Sequence, residues 1–128
     1  MRVYGRGVRR SLALALVIVL VATTGVVLAA GPTINVEPKR VTRGEVVRVF
    51  GVVPGCAIGN QVTLLSRAFS HRHEFAGVPA IFAEVQPGHR YSRRTRIPAR
   101  RRPRLYAITG RCGGGNLGVI AHLRVTRY

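Results

Sequence analysis

The sequence predicts an all-β domain, a sandwich of about seven strands, and three observations support this fold class. From residue 33 to residue 126, short segments rich in β-branched residues alternate with Gly and Pro at intervals of roughly eight to twelve residues, as in sandwiches and barrels. No segment in that range shows the period of an amphipathic helix. Two cysteines, Cys56 and Cys112, can cross-link distant parts of a small domain.

The first 29 residues are predicted to form a signal peptide. Basic residues from Arg2 to Arg10 precede an apolar run that starts at Leu12, and small residues lead to Ala29, which is the order of a secretory signal. Cleavage after Ala29 leaves residues 30–128, enough for one sandwich and too few for a second domain. The alternative is an uncleaved membrane anchor, since about 20 apolar residues span a bilayer. In both cases we expect the domain to be secreted or to face outward at the cell surface.

A disulfide between Cys56 and Cys112 is the expected state of both cysteines. Such bonds persist outside the cytoplasm, and small domains bury too little surface to be very stable without help. The alternatives, an intermolecular bond or a reactive thiol, have no local motif in their favour. The sequence therefore predicts a domain that is cross-linked over a long loop in an oxidising compartment.

Seven segments are predicted as strands, and turns that contain Gly or Pro separate most of them. Residues 67–77 are irregular and are interpreted as a loop or a short edge strand. The sixth segment is the predicted central strand. The segments are residues 33–37, 46–53, 61–66, 78–85, 91–97, 105–111 and 117–126.

Alternation along a strand assigns its inward face. In the fifth segment it places Arg93 and Thr95 inward, although an unpaired buried arginine is costly. We therefore expect Arg93 at the edge of its sheet, with its stem packed and its charge in water. The other inward residues are Val47, Val49, Gly51, Val53, Val62, Leu64, Val119, Ala121, Leu123 and Val125.

Two connections are predicted as hairpins. Residues 98–103 would form a basic hairpin between the fifth and sixth strands. Gly113 to Gly115 would connect the last two strands, where glycines supply positive φ angles. A phosphate cradle is not expected at these glycines, because a strand follows them and no helix N-terminus is available.

The order of motifs resembles the small secreted immunoglobulin-like domains of actinobacteria. The resemblance covers residues 33–125 and is most specific at Val52-Val53-Pro54-Gly55-Cys56 and at Arg111 to Gly118. It implies a β-sandwich whose disulfide joins the end of the second strand to the sixth. The chain has no Trp to pack on that disulfide. Because Tyr106 lies six residues before Cys112, where antibody domains have two, we do not expect the tyrosine-corner hydrogen bond.

The chain is strongly basic, with a net charge of +17 that falls to +13 without the four arginines of the signal segment. Twenty of the 21 basic residues are Arg, a skew that a GC-rich genome would also produce, so composition alone overstates the case for polyanion binding. The densest stretch, called the arginine row below, holds Arg90, Arg93, Arg94, Arg96, Arg100, Arg101, Arg102 and Arg104.

Two interpretations of the arginine row stay open. It can bind phosphate or carboxylate groups of phospholipid headgroups, cell-wall polyanions or extracellular nucleic acid, with strong salt dependence. It can also be a solvated charged edge that prevents sheets from pairing. Sequence-specific nucleic-acid recognition is not expected, because only Tyr91 and Tyr106 lie near the row and no platform of exposed aromatic residues is present.

We expect no catalytic centre, metal site or cofactor. His71, His73 and Glu74 carry ligand atoms, but a structural zinc site needs four ligands and a catalytic one usually three. Exposed loop histidines are the preferred interpretation. The four Glu residues are scattered along the chain, and no serine lies in a nucleophile elbow.

The sequence thus predicts an exported immunoglobulin-like binding or structural module whose partner lies in the envelope or outside the cell. The alternative is electrostatic attachment to anionic envelope polymers or membrane surfaces through the arginine-rich strand and hairpin. Membrane insertion is expected only if the signal segment stays uncleaved.

Overall fold

The computed structural model describes residues 18–19 and 31–128. The predicted signal peptide, residues 1–29, therefore lies outside the described residues except for Ile18 and Val19. Nothing in the described part of the chain is a helix long and apolar enough to cross a membrane. Residues 31–128 form ten strands: β1 (Asn35–Glu37), β2 (Arg40–Thr42), β3 (Val46–Val52), β4 (Gln61–Leu65), β5 (Glu74–Phe75), β6 (Val78–Glu84), β7 (Arg90–Arg96), β8 (Arg104–Cys112), β9 (Gly115–Asn116) and β10 (Ala121–Thr126).

The strands form two sheets that enclose one core. The smaller sheet has the order β1-β3-β7, and the larger has the order β2-β10-β8-β4-β6-β5, with β9 added on β8. All pairs are antiparallel except β2 and β10, which are parallel. One continuous hydrophobic cluster takes side chains from both sheets. The prediction of an all-β chain is confirmed.

Alternation places the core residues as predicted in β3 and β4. Val47 and Val49 of β3 are fully buried, and so are Val62 and Leu64 of β4. The prediction for Arg93 also holds, because this residue is exposed on β7, which is an edge strand of the smaller sheet. Its partner across the ladder is the buried Val49, so Arg93 lies on the inward-facing side where the sandwich is open.

The predicted number of strands is too low. All seven predicted strands are present with shifted ends. The short edge strand that was one interpretation of residues 67–77 is β5, and two further short strands, β2 and β9, were not predicted. These three have only two or three residues, too few to show a period of two in the sequence. The last long strand begins at Ala121 instead of Leu117, because Gly118 has a φ of 76° and interrupts the extended chain.

The predicted basic hairpin at residues 98–103 is wrong. A hairpin joins neighbouring strands of one sheet, whereas β7 belongs to the smaller sheet and β8 to the larger, so this segment crosses between the sheets. The crossing begins with a turn in which the N–H of Arg101 donates to the Pro98 carbonyl at 3.1 Å. The glycine turn is a hairpin as predicted, with Cys112 paired to Gly115, although it joins β8 to the short β9.

The disulfide between Cys56 and Cys112 is confirmed, with a Cα–Cα distance of 6.1 Å. It connects the loop after β3 to the end of β8 and so ties the two sheets together. Tyr106 makes a backbone hydrogen bond that the sequence analysis did not expect. Its hydroxyl donates to the carbonyl of Arg102 at 2.7 Å, so it bonds the backbone four residues upstream although it lies six residues before Cys112.

Candidate functional site

The structure divides the arginine row among three places. Arg90, Arg93, Arg94 and Arg96 belong to β7 of the smaller sheet. The crossing segment carries three more members of the row, and Arg104 begins β8 in the larger sheet. The eight arginines therefore do not form one continuous surface, because the chain changes sheets in the middle of the row.

The outer face of the smaller sheet holds three of the four arginines of β7, all except Arg93. The ladder places Arg94 opposite Arg48 of β3, and the period of two puts Arg90 and Arg96 on the same face as Arg94. Arg48 bonds Glu37 at 3.0 Å and lies 3.9 Å from the centre of the Phe50 ring. This pair is the one Arg–carboxylate contact among the described residues, so the face keeps most of its positive charge.

Two members of the row donate side-chain hydrogen bonds to backbone carbonyls, and the guanidinium of Arg104 lies 5.3 Å from the centre of the Tyr106 ring. Arg101 is half-buried and donates to the carbonyls of Ala68 at 3.3 Å and Phe69 at 2.6 Å, which fastens the crossing segment to the loop after β4. Arg96 donates to the carbonyl of Gly44 at 2.7 Å. Arg101 in particular is a poor candidate for polyanion binding, because it is half-buried and two of its five N–H donors already bond carbonyls within the fold.

A cleft lies on the open side of the sandwich, where β7 of the smaller sheet faces β6 of the larger one. Its volume is about 610 Å³. Basic and hydroxyl groups line it together with an apolar wall, and none of its lining residues is a carboxylate. The lining residues that matter below are Ser70, Arg72, His73, Ile81, Phe82 and Arg93.

The histidines singled out in the sequence do not form a metal centre. His71 Nδ1 lies 2.9 Å from a carboxylate oxygen of Glu74, while the ring of His73 packs against Phe82 with 5.4 Å between centres. His89 Nδ1 is 2.9 Å from the Cys56 carbonyl oxygen, and His122 lies in a separate shallow groove on the larger sheet. No group of three or more His, Cys, Asp or Glu residues suited to a metal ion occurs in the described residues.

The role of Tyr91 is structural. Burial raises the pKa of its hydroxyl well above its ordinary value of 10. The hydroxyl donates to the carbonyl of Thr33 at 2.7 Å and so holds the segment before β1 on the sheet. A protonated phenol that is engaged in this way offers no nucleophile or base.

The sequence did not identify Arg72 or the cleft as functional candidates. Arg72 lies in the irregular segment before β5, whose position against β7 depends on how the two sheets pack. The sequence signal was present only as a basic residue between two histidines, and nothing in the local pattern related it to Arg93.

The comparisons with known proteins leave the family open. No protein-family model matches the chain, and no curated protein matches it. Among solved structures, the chain is similar to the alkylpurine DNA glycosylase AlkC of Pseudomonas fluorescens, determined with DNA containing an abasic site analog. The identity is 15%, the TM-score is 0.47, and the match covers 73% of this chain and 29% of the glycosylase chain. The chain thus spans less than a third of that protein.

Proposed function

We propose that this chain is an exported immunoglobulin-like binding module that acts at the cell surface or outside the cell. The observation that carries the proposal is the disulfide that ties the two sheets, from the loop after β3 to the end of β8. Immunoglobulin domains have a disulfide between sheets and a tyrosine corner before its second cysteine. A structural disulfide also persists best in an oxidising, extracellular compartment.

The strand arrangement supports the same proposal. In immunoglobulin domains the first, second and fifth strands form one sheet, and the third, sixth and seventh belong to the other. Here β1, β3 and β7 pair in the smaller sheet, whereas β4, β8 and β10 pair in the larger one. The parallel pairing of β2 with β10 extends the larger sheet at its edge.

Export is tested by following the full chain in a bacterium that secretes proteins. We expect the mature protein to begin at Ala30 by intact mass and to be degraded by protease added to whole cells. Ala29→Phe should block the cut, because signal peptidase requires a small residue there. A protein that keeps Met1 and resists external protease until the cells are lysed would contradict the proposal.

A second candidate function is electrostatic attachment to anionic envelope polymers or membrane surfaces. The observation in its favour is the outer face of the smaller sheet, where Arg90 and Arg94 are exposed beside Arg48. Carboxylates are scarce there, since Glu37 is the one that contacts an arginine among the described residues.

Sedimentation with vesicles that contain phosphatidylglycerol tests this candidate across a salt series. Binding should weaken steeply between about 50 and about 200 mM salt, because each arginine that contacts a phosphate releases a counterion. The variant R90Q/R94Q should bind less than R124Q/R127Q, which removes the same charge elsewhere. Salt-independent binding, or equal losses in the two variants, would reject attachment through this face.

A further inference from the structure

The cleft between β6 and β7 has hydrogen-bonding groups of the backbone as well as arginines. Ile97 exchanges hydrogen bonds with the β3 side, donating to Glu45 and accepting from Gly44, both at 2.8 Å. In an antiparallel ladder, alternate residues point their N–H and C=O groups in opposite directions. Arg94 and Arg96 therefore direct theirs away from β3, towards the cleft that both residues line.

The start of β7 supports this direction. Arg90, which has the same parity as Arg94, bonds Gln86 on the side away from β3, with N–H to carbonyl distances of 3.3 and 2.7 Å. Beyond Arg90 the strand has no ladder partner on this side among the described residues. The cleft thus offers a backbone N–H and C=O group at every second residue of β7, and these residues are about 7 Å apart along the strand.

An added peptide strand does not fit the whole of this edge. A strand inserted between β6 and β7 needs about 4.8 Å on each side, or about 9.6 Å in all. At their closest approach the Cα atoms of β6 and β7 are within 8 Å of each other. The occupant should therefore be a compact molecule that enters the open part of the cleft.

The side chains indicate the chemistry of that molecule. Arg72, in the loop before β5, and Arg93, on β7, both line the cleft, and neither side chain has a hydrogen-bond partner in the described structure. Two guanidinium groups match the several oxygens of a phosphate. Ser70 and the backbone groups suit hydroxyls that both donate and accept, while Phe82 and Ile81 supply an apolar wall for C–H groups.

We propose that the cleft binds the phosphate ester of a sugar or sugar alcohol, with Arg72 and Arg93 on the phosphate and the edge of β7 on the hydroxyls. This site borders the outer arginine face, because Arg94 and Arg96 belong to that face and also line the cleft. It gives the proposed binding module a ligand class. It rests on the binding-module function but needs neither export nor attachment to vesicles. Its failure can therefore be separated from failure of those proposals.

The test is an NMR titration of the full-length protein with glucose 1-phosphate at low salt. We expect saturable shifts of the amide signals of Arg94 and Arg96. R72Q and R93Q should each weaken binding about tenfold, the size of one lost hydrogen bond to a charged group. The control R124Q, an exposed arginine on β10, should change affinity by less than about twofold, because screening limits distant charges.

Matched ligands separate the parts of the proposal. Three ligands should bind more weakly than glucose 1-phosphate. Glucose lacks the phosphate, and inorganic phosphate lacks the sugar hydroxyls. Glucuronate carries a carboxylate in place of the phosphate. If phosphatidylglycerol vesicles displace glucose 1-phosphate, the phosphate ester that binds is that of a lipid headgroup. If they do not displace it, the ligand is a soluble or polymeric phosphate ester. The proposal is overturned if glucose 1-phosphate does not bind, if inorganic phosphate or glucuronate binds equally well, or if R124Q weakens binding as much as R93Q.

Discussion

Removal of the disulfide should cost this domain a large part of its stability. Cys56 and Cys112 are 56 residues apart in the sequence. By chain entropy, a closed loop of that length lowers the free energy of folding by about 4 kcal/mol at 25 °C. Small domains have a free energy of unfolding of about 5–15 kcal/mol, so this contribution is a major one. For a domain of this size, it corresponds to a fall in Tm of roughly 20 °C.

The assay compares urea unfolding of the oxidised protein with that of the double variant C56A/C112A. Alanine is the suitable replacement because Cys56 is 2% exposed, and a serine hydroxyl would be buried there. Reductant should destabilise the parent protein and leave the double variant unchanged, which serves as the control. If the double variant lost less than about 1 kcal/mol, the chain-entropy argument would be refuted for this loop.

Three further changes probe the packing of the domain. Gly51→Ala should lower the free energy of unfolding in urea by at least about 2 kcal/mol, because the new Cβ would overlap the backbone of Thr33. Gly55→Ala is the control and should be neutral, because a Cβ there meets nothing within 4 Å. Burial raises the pKa of Tyr91 in the folded state above its ordinary value of 10. Its contribution to stability is therefore full below pH 10 and is lost as the pH rises above that value, because the unfolded chain releases this proton first. Stability measured from pH 9 to 11 should therefore fall in the parent protein and fall less in Tyr91→Phe, and equal slopes would contradict a buried phenol. Arg101→Gln should lower the free energy of unfolding by about 1–3 kcal/mol, because two hydrogen bonds to carbonyls are lost. The same change at its exposed neighbour, Arg102, should have little effect. Similar thermal melts for the two variants would argue against a stabilising role for the hydrogen bonds of Arg101.

The sequence was sufficient where a structural feature depends on nearby residues. The faces of β3 follow from alternation, because Val47 and Val49 must be on the opposite side to Arg48. The disulfide followed from the cysteine count, since Cys56 and Cys112 have no other partner in the chain. The exposure of Arg93 followed from the cost of burying a charge, although its face pointed inward.

Only the tertiary structure decided features that depend on which sheet a strand joins. The segment from residue 98 to residue 103 has the composition of a hairpin, yet it crosses between sheets because β7 pairs with β3 and β8 pairs with β4 and β10. The hydrogen bond from the Tyr106 hydroxyl to the Arg102 carbonyl lies at the end of this crossing, where β8 begins.

The candidate site shows the same division. The sequence identified the arginine row as a basic stretch, but the fold separates it into an outer face, a crossing segment tethered by Arg101 and a contribution to the cleft. Arg72 and Arg93 are 21 positions apart and come to the same cleft only because β6 and β7, which belong to different sheets, lie next to each other. Local pattern determines what each strand buries, whereas the pairing of strands and sheets, which sums many weak contacts between distant residues, determines which surfaces meet.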